Sequence, residues 1–231
     1  EPNSADTLPK ALEWNDDGTR LLVLFYRQQK VVQYHCQEPY DISTASYPGS
    51  LDLEEFEKTS GESPYSTDSQ FRDGTFENGG SRYYIVDNGQ RSVLQFRLTE
   101  SYNLETATID GFHSVNNIMN EPTSVRWSNN GSRMYVADES NNNIYEYNTD
   151  QPYEVGRLEF NNNVDLNNQS GGDISGPSGF QWIDGGRRLI VNAHNLYELE
   201  ASTPYDITTL NYRESYDGLN SMGQGSPSGL S

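Results

Sequence analysis

Four short apolar runs, Leu21–Leu24, Tyr83–Val86, Met134–Ala137 and Leu189–Val191, recur along the chain, each after a turn containing glycine. Runs of this length, rich in β-branched and aromatic residues, read as strands rather than helices, and no segment shows a convincing helical period. Before each turn lies a second block, from Pro9 to Trp14, from Pro122 to Trp127 and from Pro177 to Trp182, with Phe71 as a diverged match. The intervening Asp-Gly, Asn-Gly and Gly-Gly pairs supply the positive φ of tight hairpin turns. Downstream, Gln33, Gln95, Glu146 and Glu198 sit inside a third apolar segment. Six residues after each comes Pro39, Ser101, Pro152 or Pro204, and then Tyr40, Tyr102, Tyr153 or Tyr205.

A constant offset in four copies is an internal repeat, and repeats of this length with four strand signals each are β-propeller blades. The expected fold is all-β: a propeller of four-stranded antiparallel blades, four of them visible, either complete or part of a larger ring. Outer strands are expected at 45–53, 106–115, 157–164 and 210–218. The blades are expected at about 9–62, 63–118, 119–173 and 174–222, with 223–231 a tail or the start of a fifth blade. The first interval between anchors is longer than the next two, and the excess is assigned to 48–70 and to a lengthened hairpin turn at 73–80. Insertions in such folds fall in end loops, where partners are met.

Composition changes this picture little. Hydrophobic residues are 33%, but 16 Tyr, 8 Phe and 3 Trp supply bulky apolar surface with a polar handle. A net charge of −19 repels phosphate backbones and anionic lipid, so neither nucleic acid nor membrane insertion is expected. That balance, with only three lysines and abundant Asn, fits a salt-adapted source. The single cysteine, Cys36, excludes an internal disulfide and reads as a buried structural thiol.

These blocks resemble the YVTN and NHL-type propeller repeats, with Pro-x-x-φ-x-Trp, the Tyr-Val-x-Asp strand end at Tyr135–Asp138 and the Pro-Tyr-Asp-Ile-Ser-Thr-Ala segment at Pro39–Ala45. The resemblance covers Pro9 to Asn211 and implies a secreted, cell-surface or virion-surface repeat protein. Departures are Ser101 for proline, Gly156–Arg157 for the Ser-Thr pair, and the second inner strand near Phe71.

Candidate chemistry is sparse. His35, His113 and His194 fall at non-equivalent places, which argues against one metal centre. Asp87, Asp138 and Asn192 close the second strand of three repeats and read as acceptors for the following turn. Asp138, Glu139 and Asn141 offer oxygen ligands that leave calcium open without an EF-hand spacing, and no other cofactor is expected. Trp14, Trp127, Trp182 and the four repeat tyrosines read as structural. The function expected on these grounds is a non-catalytic binding or assembly module on the exterior of a cell, virion or filament. Its blade-end loops would engage protein, glycan, or further copies or blades. The alternative is a lactonase-like propeller hydrolase, which requires several of Asp87, Asp138, Glu139 and Asp184 to converge at one channel mouth.

Overall fold

A computed structural model describes residues 8–26, 28–53 and 69–216. The chain forms four antiparallel four-stranded sheets whose strand order follows the sequence, and they are arranged as propeller blades. The first blade holds β1 (Pro9–Trp14), β2 (Arg20–Phe25), β3 (Lys30–Cys36) and β4 (Ala45–Asp52). The second holds β5 (Phe71–Glu77), β6 (Arg82–Asp87), β7 (Ser92–Leu98) and β8 (Ala107–Ser114). The third holds β9 (Pro122–Trp127), β10 (Arg133–Asp138), β11 (Asn143–Asn148) and β12 (Glu159–Asp165). The fourth holds β13 (Gly179–Ile183), β14 (Arg188–Asn192), β15 (Leu196–Ala201) and β16 (Leu210–Tyr216). Among the described residues the α-helix is confined to Leu166–Gln169, so the expected all-β propeller architecture holds. None of their helices is long and apolar enough to cross a membrane.

The second strands of the two middle blades, β6 and β10, are apolar on both faces because a neighbouring blade covers each face. In β6, Tyr83 and Ile85 pack towards the first blade with Leu22, Leu24 and Phe76. Tyr84 and Val86 pack towards the third with Trp127, Met134 and Val136. A third cluster joins Tyr135 and Ala137 to Phe180, Trp182, Leu189 and Val191. This explains why the runs do not alternate with polar residues: each buried side chain removes apolar area from water at about 25 cal/mol per Å².

The repeat tyrosines lock the hairpin turns. Tyr40, Tyr102, Tyr153 and Tyr205 have φ near +60°, and each N–H donates to the carbonyl of Gly18, Gly80, Gly131 or Gly186 at 2.8–2.9 Å. Their rings lie on the glycines so closely that a Cβ there would stand 2.3–2.7 Å from ring atoms. They also stack on Trp14, Phe76, Trp127 and Trp182 at centroid distances of 5.0–5.7 Å.

This motif corrects the alignment of the second repeat. Phe76 is the residue beneath Tyr102, and Phe71 takes the place of Pro9 and Pro122. Phe76 precedes Arg82 by the same interval that separates Trp14 from Arg20, so the turn at 73–80 is not lengthened. The insertion therefore lies wholly upstream, largely outside the described residues, as do 217–231.

The anchors join neighbouring blades. Every β3-type strand meets its outer strand through a register shift at the anchor, at Gln33, Gln95, Glu146 and Glu198, and a bulge of this kind re-aims a side chain. Gln33 Oε1 accepts from Leu104 N–H at 3.0 Å, and Gln95 Oε1 accepts from Val155 N–H at 2.8 Å. Glu146 receives Ile207 N–H in the same way. The matching Ile42 of the first blade is 67% exposed, whereas Leu104, Val155 and Ile207 are 2%, 0% and 0% exposed. Consistently, β1 packs on β5, β5 on β9 and β9 on β13, with no comparable packing from β13 back to β1.

Candidate functional site

The inner strands β1, β5, β9 and β13 line the axis around which the blades turn. On each, the residue before the stacked aromatic borders one shared cavity: Glu13, Thr75, Arg126 and Gln181. These four meet. Arg126 Nη1 donates to Asp73 Oδ2 at 2.6 Å with both side chains 4% exposed, and Arg126 Nε donates to Gln181 Oε1 at 2.6 Å. Ser124 Oγ donates to the same Asp73 oxygen at 2.7 Å, and Val125 N–H does so at 3.2 Å. Glu13 accepts from Phe76 N–H at 2.8 Å and from Thr75 Oγ1 at 3.1 Å. Glu77 accepts from Trp127 N–H at 3.3 Å.

A cavity of about 160 Å³ opens onto this cluster, bordered by Glu13, Glu77, Arg126, Gln181, Trp127 and Trp182. Burial raises the Glu13 carboxyl from 4.5 to about 8, partly offset by the Arg126 charge and the bonds from Phe76 and Thr75. Burial also raises Glu77 from 4.5 to about 7, against the Trp127 N–H bond and Arg126. Two carboxyls poised near neutrality beside a fixed guanidinium are able to exchange protons with a bound molecule and to stabilise negative charge developing on it. A wider cleft of about 550 Å³ between Asn148 and Glu159 lies at the surface, where its charged groups, Asp150, Arg157 and Glu159, are all exposed.

The acids singled out in the sequence do other things. Asp138 is fully buried, and its carboxylate accepts from the Asn120, Glu121 and Ser140 N–H groups, from Ser140 Oγ and from Asn141 Nδ2. Asp87 accepts from the Gln70 and Gln90 N–H groups, and its burial raises its pKa. Asn192 receives Ser178 N–H on its carbonyl at the strand end. Glu139 N–H donates to the Glu121 carbonyl, and Asp184 pairs with Arg188 at the hairpin turn. Among the described residues no three His, Cys, Asp or Glu side chains are grouped to hold a metal ion. His35, on β3, lies 3.1 Å from Gln33 Nε2, and His113, on β8, stacks on Tyr147 at 5.1 Å. Cys36 is buried, with its thiol pKa raised by burial.

Sequence reasoning missed Glu13, Asp73, Glu77, Arg126 and Gln181. A signal was present for three of them: Glu13, Arg126 and Gln181 stand directly before Trp14, Trp127 and Trp182, whereas Asp73 and Glu77 sit at other offsets from Phe76.

No family model and no curated protein matches the chain. Solved structures do. The Pseudomonas aeruginosa periplasmic gluconolactonase PpgL is 16% identical at a TM-score of 0.61, over 99% of this chain and 57% of its own. A Bacteroides fragilis protein proposed to be a 6-phosphogluconolactonase is 13% identical at 0.59, over 93% and 56%. The Kuenenia stuttgartiensis hydrazine synthase is 16% identical at 0.55, over 93% and 51%. At such identities the likeness establishes the fold, and the chain spans little more than half the length of these proteins. It confirms the propeller but not the YVTN or NHL type. The expectation of a non-catalytic, non-enzymatic module is corrected by these neighbours, among which are proteins named as gluconolactonases.

Proposed function

We propose that the channel cluster hydrolyses a small lactone. The observation that carries this reading is the placement of Glu13 and Glu77, raised to about 8 and about 7, at one cavity with Arg126. The names of the PpgL and Bacteroides neighbours support the same reaction class. A cavity of about 160 Å³ is smaller than the roughly 300–1,000 Å³ of drug-sized sites, which restricts the substrate to a single ring.

In this mechanism Glu77, ionised on about half the molecules near pH 7, takes a proton from water as the water oxygen adds to the lactone carbonyl carbon. Arg126, held by Asp73 and Gln181, faces the charge that develops on the carbonyl oxygen. The carbon–ring-oxygen bond then breaks, and the departing oxygen takes the proton that Glu13 retains at neutral pH. The product is a hydroxy acid, and both carboxyls return to their starting states by exchange with water.

The test is proton release from glucono-1,5-lactone by the purified chain, followed with a pH indicator above the spontaneous rate. Saturable turnover is expected, with Glu77→Gln lowering kcat/KM by about 10²–10⁴-fold. Turnover no faster than background, or a Glu77→Gln enzyme equal to the parent, overturns the reading.

A further inference from the structure

Three observations on the cavity bear on which lactone it takes. Its charged border consists of two carboxyls, Glu13 and Glu77, and one cation, Arg126. That cation is already engaged: Asp73 lies 2.6 Å away and is equally buried, Gln181 holds Nε, and the Val125 carbonyl accepts from Nη1 at 2.6 Å. Counted with Asp73, the cluster holds three carboxyls against one guanidinium, in a chain of net charge −19.

From this we infer that the site selects a neutral, non-phosphorylated sugar lactone and rejects its phosphate ester; the inference rests on the lactone-hydrolase reading. A phosphate monoester carries about −1.5 to −2 charges at neutral pH and needs donors not already spent on the protein. Here it would meet the ionised fraction of Glu77 in a confined space, with the Arg126 charge already matched by Asp73, and like charges there repel with little screening. Burial acts in the same direction: Glu77 ionises as the pH passes about 7, so the discrimination strengthens on the alkaline side of that value. A neutral polyol ring, by contrast, can exchange hydroxyl hydrogen bonds with Glu13, Thr75 and Gln181 without displacing the Arg126–Asp73 pair.

The experiment compares kcat/KM for glucono-1,5-lactone and its 6-phosphate at pH 7, from low to high NaCl, with spontaneous opening subtracted. The expected result is a preference of about tenfold or more for the neutral ring, with salt raising kcat/KM for the phosphate ester only. A second readout is Asn129→Arg, which places a cation at the cavity border; it should narrow the ratio by accelerating the phosphate ester. Equal rates or a preference for the phosphate ester overturn the selectivity while leaving lactone hydrolysis standing. If neither compound is opened faster than background, the hydrolase reading itself fails and the inference falls with it.

Discussion

At the residue scale, Glu13 and Glu77 set the pH behaviour. With Glu77 acting ionised and Glu13 acting protonated, kcat/KM should rise through about pH 7 and fall beyond about pH 8. A rate profile flat from pH 6 to 9 would remove both assignments. Arg126 lowers both carboxyls and Asp73 raises Glu13 by less, so the paired change Arg126→Gln with Asp73→Asn should move the Glu77 limb to higher pH and the Glu13 limb in the same direction, opposed by the loss of Asp73. The pair is changed together because removing one partner strands a buried charge at a cost of about 3–5 kcal/mol. Glu13 also has a stability signature. Its folded pKa is raised, so it costs nothing below 4.5, where both states are protonated, and destabilises increasingly as the pH climbs towards 8. Glu13→Gln should therefore gain melting temperature relative to the parent as the pH rises across that window, which thermal melts at pH 4, 6 and 8 would measure.

Among the elements, the hairpin and the tyrosine that covers it form one unit. Gly131 has φ +68°, and Tyr153 fills the space where its Cβ would stand. Gly131→Ala is therefore both strained and overpacked, and should destabilise by about 1–3 kcal/mol. Trp127 is 3% exposed beneath the same tyrosine and stacks on Tyr84 of the neighbouring blade at 5.2 Å, so Trp127→Ala should cost about 3–5 kcal/mol. Denaturant unfolding of the two variants measures both; a Trp127→Ala change below about 1 kcal/mol would contradict the packing described. Trp14 is only half-buried, and its truncation should cost less than that of Trp127.

For the whole molecule, the asymmetry between inner and end blades has a dynamic consequence. The second and third blades are packed on both faces, while Ile42 of the first blade stands exposed and, among the described residues, the anchor Glu198 of the fourth pairs with Arg188 and Arg213 of its own sheet. Where each unit is stabilised by its neighbours, end units open more easily. Hydrogen exchange should accordingly be slower in β6 and β10 than in β2 and β14, and equal protection across all four would show that the end faces are covered. The charge of −19 acts on the same scale: added salt should raise the melting temperature by screening self-repulsion.

What the sequence determined by itself was everything carried by local periodicity. The apolar runs, the glycine turns and the constant step from Gln33 to Pro39 specify strands, hairpins and the repeat, because strand alternation and positive-φ turns are properties of short segments. The outer strands expected at 45–53 and 210–218 accordingly appear at Ala45–Asp52 and Leu210–Tyr216. Even the second repeat follows the rule once Phe76 is set beneath Tyr102; two phenylalanines five positions apart, without the marker proline or tryptophan, had concealed it. Tertiary structure alone decided what those segments meet. Gln33 and Gln95 reach a backbone N–H of the next blade only because a bulge turns them across the interface. Asp87 and Asp138, conspicuous in the sequence, are consumed by the turns beside them, whereas Glu13 becomes the most perturbed carboxyl at the cavity through contact with β5 and the charge on β9. Burial and cross-blade contact shift a carboxyl, and neither is a local quantity. They arise when four strands far apart in the chain are wound round one axis.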